Sequence, residues 1–302
     1  MTASDRPQRV ALLGATGQLG ADLVQAFAHD PLHWQVSALG PADGDVRDYV
    51  AMREVLGRLT PDVVLNTTAY NRVDDAESDA AAAFAVNTVA VHQLARICRE
   101  LGSKLVHVST DFVFGGDTGR QEPYREGDPP APQSVYASSK VAGEHVVRTS
   151  GVPHLIVRTS GLYGGTATGR GDMSNNFVLT MLALADAGKA IKVVEDQRLT
   201  PTATRDLATK MIEVLQAGAA GLLHLTAAGE CSWLTFAREI FRLAGLAPQL
   251  TATTSAAWAA PASRPAYSVL TSEVLPRLGI APLRPWQEAL ADYLRALGRL
   301  KS

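Results

Sequence analysis

In the first 160 residues, short apolar runs alternate with longer stretches whose apolar residues recur at helical spacing. Arg9–Gly14 (RVALLG), Trp34–Leu39, Val63–Asn66, Lys104–Ser109 (KLVHVS) and His154–Thr159 (HLIVRT) read as strands. Helical spacing between them covers Gly17–Ala28, Val46–Leu59, Ala80–Leu101 and Val135–Ser150. Strands that are apolar almost throughout are buried on both faces, the condition of a parallel sheet covered by helices. Right-handed crossovers then wind the chain into a Rossmann-like, doubly wound α/β sheet.

The second half is less regular. Helices are expected at Asn176–Ala187, Thr204–Gln216, Ser232–Leu243 and Trp286–Leu300, interrupted by a Thr/Ala/Pro stretch over Thr251–Pro265 and preceded by a Gly/Thr-rich loop, Gly164–Asp172. The expected division is a dinucleotide-binding domain over residues 1–160 and a smaller C-terminal substrate-binding lobe over 161–302, with later segments returning to the first. Hydrophobic residues at 46% and charged residues at 19% suit a chain able to bury a sizeable core. The 28 basic and 30 acidic residues nearly cancel, and no basic stripe marks a nucleic-acid partner. No apolar stretch of membrane-spanning length and no signal-peptide pattern stand out, which argues against a membrane role and for a cytoplasmic protein. Cys98 and Cys231 lie far apart without metal-ligand spacing, so buried free thiols in a reducing compartment are expected, and no metal site.

Gly14-Ala15-Thr16-Gly17-Gln18-Leu19-Gly20 leaves the first strand and opens the first helix. Glycines there let the backbone approach a pyrophosphate, while the helix N-terminus supplies amide donors and partial positive charge. The spacing G-x-x-G-x-x-G is one residue wider at the front than the usual dinucleotide fingerprint, and glycines also serve ordinary turns. The position, strand to helix at the start of an alternating pattern, points to NADP or NAD. The second strand ends at Ala38-Leu39-Gly40, without the acid or arginine that would choose between them, and Asp43, Asp45 and Arg47 follow slightly later.

Tyr136 and Lys140 are four residues apart, on one face of a helix. A lysine ammonium beside a phenol lowers its pKa from about 10, which eases proton transfer at neutral pH. Carbonyl reduction requires such a transfer, because the arriving hydride leaves an alkoxide. Pairs of this kind also arise by chance, as a half-buried tyrosine beside a solvated lysine. Ser109-Thr110-Asp111 and Asn66-Thr67-Thr68-Ala69 each close a strand, where ligands bind in open α/β sheets. A hydroxyl at such a strand end can hydrogen-bond a substrate carbonyl, and it can equally serve a turn. Together these elements describe one crevice.

Taken together, these motifs resemble the extended short-chain dehydrogenases and, within them, the dTDP-4-dehydrorhamnose reductase family. The finer matches are GATGQLG, NTTAYNRVDDAE at 66–77, STDFVFGG at 109–116, RTSGLYG at 158–164, QRLTPT at 197–202 and Arg264-Pro265 with Ser268-Val269-Leu270. The resemblance implies that Tyr136 is the proton donor, with Lys140 orienting the cofactor ribose and Thr110 contacting the substrate keto group. It implies cofactor contacts from Gly14, Thr16, Gly17, Gln18, Leu19, Asp45, Val46, Ala69, Tyr70, Asn87 and Ser109. Nucleotide-sugar contacts would come from Asn175, Asn176 and Arg264. Two positions depart from the pattern. Gly161 stands where the family carries a tryptophan packed on the sugar, which implies a different or bulkier substrate. Phe112 stands where tyrosine is common, and removes a hydroxyl near the site. Some relatives bind magnesium at a dimer interface; Asp22 is a candidate, but no full ligand set maps.

The expected activity is therefore NAD(P)H-dependent reduction of a keto group on a nucleotide sugar, with dTDP-4-dehydro-6-deoxy-L-mannose as the leading substrate and a homodimer as the expected assembly. The alternatives are a nucleotide-sugar epimerase, a reductase of another carbonyl in secondary metabolism, or a regulatory subunit that keeps the dinucleotide fold without catalysis.

Overall fold

The computed structural model describes residues 6–165 and 176–301. At its centre lie six parallel strands: β1 (Gln8–Leu13), β2 (Trp34–Leu39), β3 (Val63–Asn66), β4 (Lys104–Thr110), β5 (His154–Thr159) and β6 (Gly221–His224). Their order across the sheet is β2-β1-β3-β4-β5-β6. The chain therefore reverses its direction of growth between β1 and β3. Such a switch point opens a crevice beyond the carboxyl ends of the strands. The 2-1-3-4-5 start is the flavodoxin-like variant of the doubly wound sheet.

The helices are α1 (Gln18–Ala28), α2 (Tyr49–Leu59), α3 (Ala80–Leu101), α4 (Val135–Thr149), α5 (Phe177–Asp186), α6 (Thr204–Gln216), α7 (Trp233–Ala244) and α8 (Trp286–Ala296), with shorter turns between them. Strand alternation divides the core. Val10 and Leu12 of β1 face Leu19, Leu23 and Phe27 of α1 and Leu207 and Met211 of α6. Ala11 and Leu13 face Met52 and Leu56 of α2, Leu94 and Cys98 of α3 and Val147 of α4. Each fully buried Leu, Met or Phe contributes about 1.5–3 kcal/mol.

Contrary to the sequence reading, α3 is long and apolar enough to cross a membrane by length and composition. Its apolarity has another cause here, because α3 packs between α2 and α4 against the sheet. Its middle, Ala85–Ala90, widens into a π-helical turn, a feature that recurs at functional sites.

β6 and α6 come from the second half of the chain yet complete the main sheet and its cover. A second core packs α5, α7 and α8 around Tyr163, Leu182, Ile240, Phe236, Trp286 and Leu290. The Thr/Ala/Pro stretch contains order: Leu250–Thr253 pairs in parallel with Ile191–Val194, and Ser255–Trp258 forms a short helix. Cys98 and Cys231 are buried free thiols.

Candidate active site

The glycine loop lies at the carboxyl end of β1. Gly14 takes a left-handed φ of 81°, and a Cβ there would sit 2.6 Å from Thr67 Oγ1. At Gly20 a Cβ would meet the Gly14 carbonyl at 2.0 Å, so only glycine lets α1 approach β1 this closely. Gly17 caps α1 without a side-chain hydrogen bond, leaving the first-turn N–H groups of Gln18 and Leu19 for an anion. Leu19 turns its side chain into the core, so any contact it makes with a phosphate comes from its backbone. Beside the loop a cleft of about 370 Å³ is lined by Gly14, Thr16, Gly40, Asp43, Asp45, Val46 and Arg47. Asp43 accepts from the Gly40 N–H at 2.8 Å, and Asp45 pairs with Arg47. A backbone-only cradle beside this cleft suits a dinucleotide.

Two strands along, the carboxyl end of β4 meets the start of α4. Ser134 caps α4 by accepting from Ala137, and Glu77 Oε1 accepts the Val135 N–H at 2.9 Å. The tyrosine is thus held on the first turn. Its ring meets Phe112 edge-on with centroids 6.0 Å apart. Burial pushes the Tyr136 phenol up to about 12; a hydrogen bond with Thr110 opposes this and the Asp111 carboxylate adds to it. The phenol is therefore protonated at neutral pH, the form an acid must have. Burial brings the Lys140 ammonium down to about 8, opposed by Glu144, and its Nζ donates to the Val108 carbonyl at 2.8 Å. The expected lowering of the phenol by Lys140 thus gives way to burial.

Asn87 is fully buried in the π-turn of α3. Its Oδ1 accepts the Tyr70 N–H at 2.9 Å, while its Nδ2 donates to the Tyr70 carbonyl at 3.0 Å and to Ser139 Oγ at 2.9 Å. It ties the Ala69-Tyr70 strand end to the helix of Tyr136 and Lys140. Ala69 is exposed at that edge and Tyr70 is buried. Ser109 is also turned inward, with its hydroxyl donating to Glu144 Oε1 at 2.6 Å. Glu144 in turn receives Arg158 through Nε at 2.8 Å and Nη2 at 2.6 Å, an ion pair buried between α4 and β5.

Sequence reasoning missed Asp111. Its carboxylate, 2% exposed, accepts from Ser268 Oγ at 2.6 Å, Ser160 Oγ at 2.8 Å and Thr110 Oγ1 at 3.2 Å. Burial raises it to about 6 against these three donors. The signal was present in the order of the motifs, since STD, RTS and the late RPAYS each supply one partner.

Of the residues expected to meet the nucleotide sugar, Arg264 forms a two-pronged pair with Asp74 at 3.0 and 2.8 Å and donates to the Ala262 carbonyl. Asn176 caps α5 through Leu179 and donates to the Tyr293 hydroxyl at 2.9 Å. Asn175 and residues 166–172 of the Gly/Thr-rich stretch lie outside the described residues. Asp22 is buried, accepting from Thr204 and from the Gly165 N–H.

A family model described as the RmlD substrate binding domain matches residues 8–299. A dTDP-4-dehydrorhamnose reductase of Mycobacterium tuberculosis is 39% identical, covering 96% of this chain and 94% of its own. The chain belongs to the dTDP-4-dehydrorhamnose reductase family. A probable dTDP-4,6-dihydroxy-2-methyloxan-3-one 4-ketoreductase of Streptomyces antibioticus is 43% identical over 94% of both chains. The crystal structure of a dTDP-4-dehydrorhamnose reductase from Bacillus anthracis in complex with NADP superposes with a TM-score of 0.89 at 32% identity, covering 96% of this chain and 99% of the other.

Membership in the dTDP-4-dehydrorhamnose reductase family makes the chain a reductase and places both departures in context. Gly161 adopts φ of 56°, and a Cβ there would lie 2.8 Å from Leu199 Cδ1 and 3.1 Å from the Pro201 Cα. A tryptophan cannot be added to this backbone without resetting it. Phe112 fills its place as the edge-on neighbour of Tyr136.

Proposed function

We propose that the chain reduces the 4-keto group of a dTDP-linked 6-deoxy sugar, with dTDP-4-dehydro-6-deoxy-L-mannose as the leading substrate and Tyr136 as the acid. At the coarser level the chain is an NAD(P)-dependent nucleotide-sugar ketoreductase. The observation that carries the reading is that α4, with Tyr136 and with Lys140 bonded to the Val108 carbonyl of β4, stands at the carboxyl end of the same sheet whose first strand ends in a glycine cradle suited to phosphate.

Gly14, Thr16, Gly17, Gln18 and Leu19 would hold the pyrophosphate of the dinucleotide, Asp45 and Val46 its adenosine, and Ala69, Tyr70 and Lys140 its second ribose. When bound, the nicotinamide supplies the hydride. Tyr136 Oη holds the proton that the resulting alkoxide takes. Lys140, charged below about 8, stands one helical turn away on the same face, where a developing phenolate gains from its charge. Thr110, at the end of β4, would contact the substrate keto group. Asn87 and Glu77 hold α4 from behind.

A second reading is supported by Gly161 and by the 43% identity to the 4-ketoreductase of Streptomyces antibioticus: a 4-keto deoxysugar other than the rhamnose precursor. A panel of dTDP-4-keto sugars with NADPH and NADH separates the two by cofactor oxidation. Absence of turnover with every 4-keto nucleotide sugar overturns both. Tyr136→Phe should lower turnover at least ~100-fold while dinucleotide affinity stays within about twofold. A near-normal rate would remove Tyr136 from the acid role.

A further inference from the structure

β2 ends without an acid, yet the fold brings one back to its carboxyl end. The strand stops at Leu39, and Pro41–Asp43 makes a single tight helical turn. Asp43 closes that turn: its Oδ2 accepts the Gly40 N–H at 2.8 Å, and its own N–H donates to the Gly40 carbonyl at 3.0 Å. A Cβ added at Gly40 would lie 3.0 Å from Thr16 Cγ2 and 4.0 Å from Asp43 Oδ2. The carboxylate therefore stands next to the glycine loop, close to where a side chain from position 40 would begin. Doubly wound sheets place at this strand end the acid that binds the adenosine ribose.

Charge in the cleft points the same way. Among the described residues that line it, Arg47 is the one cation. Arg47 is committed to Asp45, whose carboxylate accepts its N–H at 2.9 Å and its Nε at 3.0 and 2.9 Å. Asp43 forms no ion pair among the described residues, so it is the unmatched charge of the cleft. An ionised carboxylate offers about four acceptor positions, and the Gly40 N–H uses one. A ribose 2′-hydroxyl can donate to those that remain. A 2′-phosphate carries a charge of about −1.5 to −2 at neutral pH and is repelled.

We propose that Asp43 is the specificity-determining residue of the cofactor cleft and makes the chain bind NAD(H) in preference to NADP(H). The acid reaches the strand end through the turn rather than from the strand itself, and Gly40 leaves it the room. The proposal rests on the dinucleotide reading of the glycine cradle and adds which of the two dinucleotides the cradle takes.

Calorimetric titration of the full chain with NAD+ and with NADP+ tests it. At low salt the wild type should bind NAD+ at least about 10-fold more tightly. Asp43→Asn keeps an acceptor for the Gly40 N–H and removes the charge. It should tighten NADP+ about 10-fold and weaken NAD+ about threefold, because a charge-assisted hydrogen bond becomes a neutral one. Wild-type NADP+ binding as tight as that of NAD+, or a preference that Asp43→Asn moves by less than about twofold, overturns the proposal. A second readout needs no variant and serves equally if Asp43→Asn does not fold. Raising sodium chloride from about 0.05 M to about 1 M screens the repulsion and should narrow the wild-type preference at least about threefold. A preference that salt leaves unchanged overturns selection by charge. If neither dinucleotide binds the wild type, the cofactor reading fails and takes this proposal with it. If both bind without preference, the selection by Asp43 fails alone.

Discussion

Glu144 and Asp111 are carboxylates buried to the same degree, each 2% exposed. Glu144 is met by Arg158 through two nitrogens and by Ser109, so its charge is matched inside the protein. Asp111 is met by hydroxyls only, and burial lifts it to about 6. The contrast shows that burial by itself does not decide what a buried acid does. A cation partner turns the group into a clamp between α4 and β5; neutral donors leave the charge of Asp111 without a counter-charge. The clamp lies under the helix of Tyr136, and the titratable acid lies beside the phenol itself.

The comparison can be broken hardest by removing the cation. Arg158→Leu strands Glu144 in the core and should lower stability by roughly 3–5 kcal/mol in urea unfolding. A small loss would mean that the pair barely offsets its own desolvation. Next is the pH dependence of Asp111. In the folded state it keeps its proton up to about 6, against an ordinary value of 3.8. Folding therefore takes up a proton in that window, and stability falls as pH rises from 3.8 to about 6. Asp111→Asn should flatten that fall by on the order of 2 kcal/mol in denaturant midpoints measured on both sides of the window. An unchanged slope would show that Asp111 is not the group responsible.

Ser109→Ala removes one donor from the matched acid and should cost about 1–2 kcal/mol. Because its hydroxyl points at Glu144, dinucleotide affinity by calorimetry should stay within about twofold. A large loss of affinity would return Ser109 to the cofactor. The smallest effect is expected at the surface pair: Asp74→Ala should cost up to about 1 kcal/mol, since Arg264 remains partly solvated. A stability loss as large as that of Arg158→Leu would erase the distinction between matched pairs inside and outside.

Much of the sheet was legible because its strands had to be apolar on both faces; Trp34–Leu39, Val63–Asn66 and His154–Thr159 coincide with the observed strands. β6 was not, because Gly221-Leu222-Leu223-His224 lies outside the regular alternation of the first half and depends on pairing with β5. The glycine loop was legible because its backbone geometry excludes other residues. The Asp111 junction was not, since Ser160 and Ser268 are brought to it only by the fold, from 49 and 157 residues away. Arg158 offered a clue that went unread: a charge inside HLIVRT needs a buried counter-charge. Lys140 was placed correctly on the face of Tyr136, but the opposing effect of burial on the phenol cannot be read from a four-residue spacing.

The two acids also differ in when they can be satisfied during synthesis. Glu144 and Arg158 are 14 residues apart, so their pair can close as soon as that hairpin of helix and strand leaves the ribosome. Asp111 waits for Ser268, 157 residues later. A nascent chain can therefore build the scaffold under Tyr136 well before the hydroxyl network beside it, and pairing at long sequence separation is the slow class of event. Translation itself thus orders the assembly, with the ion-paired frame first and the hydroxyl network only when Ser268 has emerged.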